Sequence, residues 1–338
     1  MYLQLIIYFL FFITITSSSS IDWETFKHNY NKQYASVTEE AERKQIFIEK
    51  INRLQEYEKT HQHETFKAGI NHLMDRRIEE LVSGSKSFFN IPSIEIEKTI
   101  SSKKTIPTSL DWRDKGVITP VYNQGTSPKY STVVAVEAIE SFQAIRGGKL
   151  EKGSIDQVSD CCENTIDILD CILNKMGGSL CRESDYKSSN TTCDRNACQP
   201  FAVFNNLKVL KVANEYTMLE WIQDSPLYVG VNAADFGFEI YKSGVYSNPE
   251  CANGTVDHVL QIVGYGIESG TPYWLCKNSW SSAWGDQGYI RLERGKNTCR
   301  IADYVAQVEY RTNDAVRSFT IHYMYLTIFS FILYIFSY

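Results

Sequence analysis

The chain has 338 residues, 43% of them hydrophobic, and a net charge of −6 from 34 Lys and Arg against 40 Asp and Glu. A mildly acidic chain lacks the basic excess that neutralises phosphates, so nucleic acid is not an expected partner, and the apolar fraction is too high for a disordered polymer. The length predicts more than one folded unit, and nine cysteines leave at least one thiol outside any set of internal disulfides.

The N-terminus begins with an apolar run that ends in four serines. This pattern predicts a secretory signal peptide over residues 1–20, cleaved between Ser17 and Ser20, although no basic residue precedes the run. An uncleaved membrane anchor is the alternative. Secretion permits disulfides, and it makes Asn190 and Asn253, each in an Asn-X-Thr sequon, candidate glycosylation sites.

The C-terminus is also apolar, because residues 318–338 contain no Asp, Glu, Lys or Arg and are rich in Ile, Leu, Phe and Tyr. We assign 313–338 to a hydrophobic tail with three interpretations: a glycolipid-anchor signal that is removed, a transmembrane segment, or a packed helix of a soluble product. The first two connect the protein to a membrane. The expected location is the secretory pathway and then the extracellular space or the cell surface.

Between the signal peptide and residue 104, large apolar residues recur every three or four positions, which predicts two amphipathic helices. A short strand or turn at 69–75 follows, where residues alternate around a glycine. The residues that set the helical spacing are Trp23, Phe26, Tyr30, Tyr34, Glu39, Arg43, Phe47, Ile51 and Leu54.

Two patterns in this region point to a known family. Glu39, Arg43 and Phe47 read E-x3-R-x3-F, and the segment 69–75 contains G-x-N-x-L-x-D. Both resemble the inhibitory propeptide of papain-like cysteine proteases, with a leucine where that family has an aromatic residue. The resemblance implies that 21–104 is an inhibitor-type propeptide that lies backwards through the cleft of its own chain, and this makes it the first expected partner.

The segment 105–312 contains three motifs that resemble the mature papain-like (peptidase C1) domain. Asn-Gln-Gly at 123–125 follows an Asp-Trp-Arg sequence, His258 begins an apolar strand, and Asn-Ser-Trp at 278–280 follows a second apolar strand. The resemblance implies an α+β fold of two lobes. One lobe is helical and N-terminal, and the other is C-terminal and resembles an antiparallel β-barrel.

The same resemblance assigns roles to three residues. Gln124 would donate to the oxyanion, His258 would be the general base, and Asn278 would orient the imidazole and hold its tautomer. A single histidine on an apolar strand is usually structural. The Asn-Ser-Trp motif downstream favours the active-site interpretation.

The position of the nucleophile carries Tyr130. The family has a cysteine there, at a helix N-terminus, and counting from Gln124 gives Tyr130; Glu140, ten residues further on, agrees with this register. No cysteine occurs in residues 1–160. A phenol with an ordinary pKa of about 10 is a poor nucleophile, and Ser131 points about 100° away around the helix.

The cysteines divide into three groups. The resemblance implies two bridges, one between Cys251 and Cys299 and one between Cys161 and Cys193. Cys276, in an apolar strand, is the candidate for the unpaired thiol. Four further cysteines have pairings that the sequence leaves open: Cys162, Cys171, Cys181 and Cys198.

These observations predict a secreted or surface-anchored pseudoprotease that is not an enzyme and binds peptides, protease inhibitors or host proteins without hydrolysis. The arrangement resembles inactivated mite cysteine protease paralogues related to the group 1 allergens. One alternative is residual or serine-based proteolysis through Ser131. Another is a structural surface protein in which His258 and Asn278 only support the fold. No cofactor or metal is expected.

Overall fold

The structure is a computed structural model that describes residues 21–61, 65–82, 105–125, 130–163, 165, 167–188, 192–210 and 212–311. The predicted signal peptide, the tail at 313–338 and the sequon asparagine Asn190 lie outside the described residues. No helix within the described ranges is long and apolar enough to cross a membrane.

The chain divides into two compact units, of which the first comprises Met1–Gln62 and His72–Arg76. The described residues of this unit form the helices α1 (Trp23–Asn29) and α2 (Val37–Thr60). Each helix begins at a side-chain cap: the Asp22 carboxylate accepts from the backbone N–H of Thr25, and the Ser36 hydroxyl accepts from that of Glu39. The helices pack through aromatic rings, with the centroids of Phe26 and Phe47 4.7 Å apart.

Within this unit, Asp75 contacts both helix α2 and the residues that precede it. Lys32 Nζ lies 2.7 Å from Asp75 Oδ1, and the Tyr34 hydroxyl donates to Oδ2 at 2.9 Å. Arg43 Nη1 donates to the backbone carbonyl of the same residue at 3.3 Å. The aspartate side chain is fully buried, so these partners replace the water that it loses.

The second unit comprises His63–Asn71 and Arg77–Tyr338, and its described part is built on a nine-stranded sheet. The strands follow the order β1-β7-β10-β9-β8-β6-β11-β5, and β2 pairs with β8 off this path. The β3 and β4 strands form a separate pair. The strands are β1 (Phe66–Ala68), β2 (Leu110–Asp111), β3 (Ser179–Leu180), β4 (Ala202–Val203), β5 (Asn206–Leu210), β6 (Leu227–Val231), β7 (Tyr241–Tyr246), β8 (His258–Glu268), β9 (Thr271–Lys277), β10 (Tyr289–Glu293) and β11 (Val305–Glu309).

The described part of the second unit also contains five α-helices. They are α3 (Tyr130–Gly147), α4 (Ile155–Cys161), α5 (Ile168–Lys175), α6 (Glu215–Trp221) and α7 (Phe236–Glu239). The run Thr132, Val133 and Val134 lies in α3, although β-branched residues lower helix propensity. All three are buried, so packing in the core outweighs the local preference.

Strand β1 joins the sheet as an edge strand on β7. The backbone N–H of Val245 donates to the carbonyl of Thr65, and that of Gly69 donates to the carbonyl of Ile240. Residue 244 must be glycine, because its φ is +85° and a Cβ there would lie 2.5 Å from the Thr65 oxygen. Phe66 is buried at this contact.

Four disulfides link the second unit. They join Cys161 with Cys193, Cys162 with Cys171, Cys181 with Cys198, and Cys251 with Cys299. Cys276 is free and fully buried in β9, and burial raises the pKa of its thiol far above the usual value. It is therefore a protonated core residue at neutral pH.

Two glutamates of helix α3, Glu137 and Glu140, are buried. Lys277 Nζ lies 2.7 Å from Glu137 Oε1. Glu140 accepts from the Thr119 hydroxyl at 2.8 Å and from the backbone N–H of Gly153 at 2.7 Å. Burial, together with the neighbouring charge of Glu137, raises the pKa of Glu140 to about 7. At acidic pH Glu140 is therefore protonated in the folded state.

We expect Phe66→Ala to loosen β1 from β7. The substitution removes the ring that packs 4.6 Å from that of Tyr246, and truncating a buried phenylalanine costs about 3–5 kcal/mol. Hydrogen exchange at the amides of Val245 and Gly69 should become at least about tenfold faster. Lys67→Ala on the same strand is the control, since Lys67 is exposed. Unchanged exchange in Phe66→Ala would contradict this account of the edge strand.

We expect Glu140→Gln to flatten the pH dependence of stability. The folded-state pKa of about 7 lies above the unfolded value of 4.5, so this carboxyl stabilises the fold at low pH and loses that contribution as the pH rises through about 7. Glutamine mimics the protonated form. Denaturant unfolding should favour the variant over the parent by up to about 3 kcal/mol more at pH 8 than at pH 4. Equal pH dependence of the two proteins would show that Glu140 is ionised in the fold.

Candidate active site

The structure brings together the four positions that the sequence singles out. Tyr130 is the first residue of α3 and His258 the first of β8, and their ring centroids lie 4.9 Å apart. Asn278 follows the last residue of β9, and its Oδ1 lies 2.8 Å from His258 Nε2. Gln124 precedes α3 and is joined to Ser279, the residue after Asn278. Separate parts of the second unit therefore converge on one site.

The imidazole of His258 is held in one tautomer. Its Nε2 donates to Asn278 Oδ1, because an amide oxygen can only accept, and the same oxygen also accepts from the Ser279 backbone N–H. Burial lowers the pKa of His258 to about 4, against the opposing effect of the Asn278 hydrogen bond. Nδ1 is therefore unprotonated at neutral pH, and it has no hydrogen-bond partner among the described residues. It is a base whose lone pair is available.

Aromatic side chains shield this pair from water. The Trp280 ring lies 4.9 Å from that of His258 and 5.2 Å from that of Trp284, and both tryptophans are buried. A dry environment strengthens the hydrogen bond between His258 and Asn278. The sequence analysis used Trp280 only as part of a motif. Its position two residues after Asn278 was the available signal for a shielding role.

The side chain of Gln124 is oriented by Ser279 on one side and by a backbone carbonyl on the other. The Ser279 hydroxyl donates to Gln124 Oε1 at 2.6 Å, and the Gln124 backbone N–H donates to the Ser279 carbonyl at 2.9 Å. Because Oε1 is engaged, Nε2 points away as a donor, and it donates to the carbonyl of Leu81 at 2.9 Å. A main-chain oxygen thus accepts from the amide group to which the sequence analysis assigns the oxyanion role.

The sequence did not predict this contact of Leu81. Residues 77–82, which we call the cleft segment, belong to the second unit, and Leu81 and Val82 are buried there. Their buried side chains are the only local signal, since a backbone carbonyl is present at every residue.

Tyr130 occupies the N-terminus of α3 and is 2% exposed. The only free cysteine that the described residues contain is Cys276, which is buried in β9. Ser131 is partly exposed, and Ser127 lies outside the described residues. The side chains at the N-terminus of α3 next to His258 therefore carry hydroxyl groups and no thiol.

A second carboxyl adjoins the site. Asp257 precedes His258, and it accepts from the backbone N–H of Ala233 at 2.8 Å. Burial raises the pKa of Asp257 to about 6. Within the described residues, no group of three or more His, Cys, Asp or Glu is placed to hold a metal ion.

Comparison with known proteins identifies two family domains. The model for "Papain family cysteine protease" matches residues 106–308, and that for "Cathepsin propeptide inhibitor domain (I29)" matches residues 23–81. The first match covers more than half of the chain. It contains all four positions of the site.

Individual relatives agree with these matches. Digestive cysteine proteinase 2 of Homarus americanus is 31% identical over 85% of this chain and 94% of its own length. Cathepsin S of Bos taurus is 31% identical over 85% of this chain and 92% of its own length. The solved structure of digestive procathepsin L2 from Tenebrio molitor larval midgut has a TM-score of 0.74 at 29% identity and covers 85% of this chain and 98% of its own.

These comparisons confirm the α+β papain-like fold that the sequence predicts, with its N-terminal propeptide. They also overturn one prediction. We expected from Tyr130 that the chain is not an enzyme, but the matching family is one of cysteine proteases and the relatives are named as proteinases or cathepsins. The chain belongs to the papain family of cysteine proteases and carries a cathepsin propeptide inhibitor domain in front of the protease domain.

Proposed function

We propose that this chain binds peptides in its papain-type cleft, with Tyr130 in the place of the nucleophile. The observation that carries the proposal is the hydrogen bond from Gln124 Nε2 to the carbonyl of Leu81, at 2.9 Å. The bond from Ser279 orients the Gln124 amide, so Nε2 can donate to a peptide carbonyl oxygen regardless of the side chain on that peptide residue. Recognition through the main chain suits peptides as a class, and also the extended loops of protease inhibitors or of host proteins.

The edge of the sheet supports the same function. The segment 65–71 adds β1 to β7 through main-chain hydrogen bonds, and the Asn71 side chain donates to the carbonyl of Glu239 at 2.8 Å. This is recognition of an extended strand by an exposed sheet edge. The protease domain therefore holds main-chain groups of the same chain at two places, the edge of β7 and Gln124.

A second candidate function is hydrolysis of the bound peptide. It is favoured by His258 Nδ1, which is unprotonated and lacks a hydrogen-bond partner among the described residues. Such a nitrogen can take a proton from a hydroxyl, and Ser131 offers one on the same helix as Tyr130. If neither peptide binding nor peptide hydrolysis is detected, the role of His258 and Asn278 is purely structural.

We also propose how the chain is divided and where it is made. Residues 1–20 are a signal peptide, 21–104 the propeptide, 105–312 the protease-like domain and 313–338 a hydrophobic tail that is either a glycolipid-anchor signal or a transmembrane segment. The four disulfides support an oxidising compartment, as does the propeptide. Asn253 is exposed, which fits glycosylation, and the relation to mite paralogues of the group 1 allergens stays a prediction.

We expect Leu81→Ala to open the cleft to peptides. The side chain of Leu81 is buried, and its truncation weakens the cleft segment that occupies Gln124. Fluorescence polarisation of the full chain with a labelled peptide of sequence Arg-Ile-Glu-Glu-Leu-Val, copied from residues 77–82, should give at least about tenfold tighter binding than the parent.

Glu79→Ala is the matched control, because Glu79 is exposed on the same turn. This variant should bind the peptide like the parent. Adding Gln124→Ala to Leu81→Ala should reverse the gain, because the amide donor is lost. Absence of peptide binding by Leu81→Ala, in protein whose unfolding is otherwise normal, would refute the proposal.

We expect Tyr130→Cys, made in the Leu81→Ala background, to raise peptide hydrolysis at least about 10³-fold. A thiol at this position would lie beside His258, whose Nδ1 can accept its proton. The measurement is kcat/KM with a fluorogenic peptide. Ser131→Cys in the same background is the control, since that thiol points about 100° away around the helix.

Equal rates in the two thiol variants would show that the remainder of the site does not activate a nucleophile at position 130. The background chain without either thiol decides the second candidate. Turnover by that chain which disappears in His258→Ala would establish hydrolysis that depends on this histidine.

A further inference from the structure

One turn of α3 contacts β8, which begins at His258, and β9, which ends directly before Asn278. Lys277, the last residue of β9, extends its Nζ to within 2.7 Å of Glu137 Oε1. Gln261, three residues after His258 in β8, donates from Nε2 to the Glu137 carbonyl at 3.1 Å and to the Ser141 hydroxyl at 3.0 Å. These contacts join β8 and β9 to the turn of α3 between Glu137 and Ser141.

The ion pair between Lys277 and Glu137 has one further hydrogen-bond partner among the described side chains, the hydroxyl of Thr119. Lys277 is fully buried, and its Nζ also donates to the Thr119 hydroxyl at 3.2 Å. The second carboxylate oxygen of Glu137 has no hydrogen-bond partner among the described residues. Moving the ammonium away would leave two buried charges uncompensated, so the position of Lys277 is fixed relative to α3.

Lys277 directly precedes Asn278, and Glu137 lies seven residues, about two helical turns, after Tyr130 on the same face of α3. Because the two residues are adjacent, the position of the Lys277 backbone determines where the side-chain amide of Asn278 meets His258. Asn278 is further tied by its backbone N–H, which donates to the carbonyl of Gly288 at 3.0 Å.

We propose that Glu137 is a positioning residue: through its ion pair with Lys277 it places Asn278, and thereby the imidazole of His258, relative to the N-terminus of α3. The inference concerns the geometry of the histidine, and it holds whether or not a peptide binds. It separates this pair from Glu140, which accepts from Gly153 and Thr119 and touches neither strand of the site directly.

The competing explanation is that the ion pair only supports the core. The two explanations differ when both charges are removed, because apolar residues of similar volume often replace a buried ion pair without loss of stability. We therefore choose the double variant Glu137→Met with Lys277→Met in the full chain. Its readouts are the thermal unfolding midpoint and the Nε2–H signal of His258 in protein labelled with 15N-histidine, assigned by its absence in His258→Asn.

We expect the double variant to keep its unfolding midpoint within a few degrees of the parent, while solvent exchange of the His258 Nε2–H becomes at least about tenfold faster. An unchanged midpoint with unchanged exchange would overturn the proposal. If the double variant does not fold, Glu137→Gln gives the same comparison with one charge removed and the side-chain size retained.

Glu140→Gln is the matched control, because it removes a buried carboxylate one turn further along the same helix. It should leave the Nε2–H exchange of His258 as in the parent. Equal acceleration in Glu140→Gln and Glu137→Gln would mean that any disturbance of α3 reaches the histidine, and would overturn the specific role of Glu137. The peptide titration of Leu81→Ala is independent of this result, so each proposal can fail alone.

Discussion

The burial of α3 against the sheet is the constraint on which the remainder of the second unit depends. A helix buried on most of its surface must find internal partners for its polar groups, because an unpaired buried carboxylate is very costly. Glu137 and Glu140 find them in Lys277, Thr119 and a backbone amide. Because β8 begins at His258 and β9 ends directly before Asn278, the partners that α3 finds on these strands also arrange the candidate site.

The sequence predicts the features that are encoded locally. Helical spacing indicates α1 and α2, and Asn-Gln-Gly with Asn-Ser-Trp indicates the positions of Gln124 and Asn278. The ion pair of Glu137 with Lys277 joins residues 140 positions apart, and no periodicity reveals it. The helix over residues 132–134 runs against its own propensity, because burial in the core contributes more free energy than rotamer freedom costs.

Contacts made by the main chain were the least predictable. The cleft segment reaches Gln124 with a carbonyl oxygen, and the segment 65–71 reaches β7 with N–H and C=O groups, so neither contact depends on a distinctive side chain. By contrast, the side chain of Asp75 pairs with the side chains of Lys32 and Tyr34, and recognition between side chains leaves a pattern of residue types in the sequence. Chemistry carried by side chains is visible in a sequence, whereas chemistry carried by the backbone becomes visible only in the fold.

The geometry of His258 also explains how its imidazole keeps a fixed orientation although position 130 is not a cysteine. The hydrogen bond to Asn278 is made at Nε2, while Nδ1 is the nitrogen left without a partner in the described part of the chain. The tautomer is therefore set by a residue other than 130. Its charge is a separate matter, because burial lowers the pKa of His258 to about 4 although the hydrogen bond to Asn278 opposes that shift. The fold thus fixes the orientation of the base through Asn278, and the burial of the site keeps the base neutral at neutral pH.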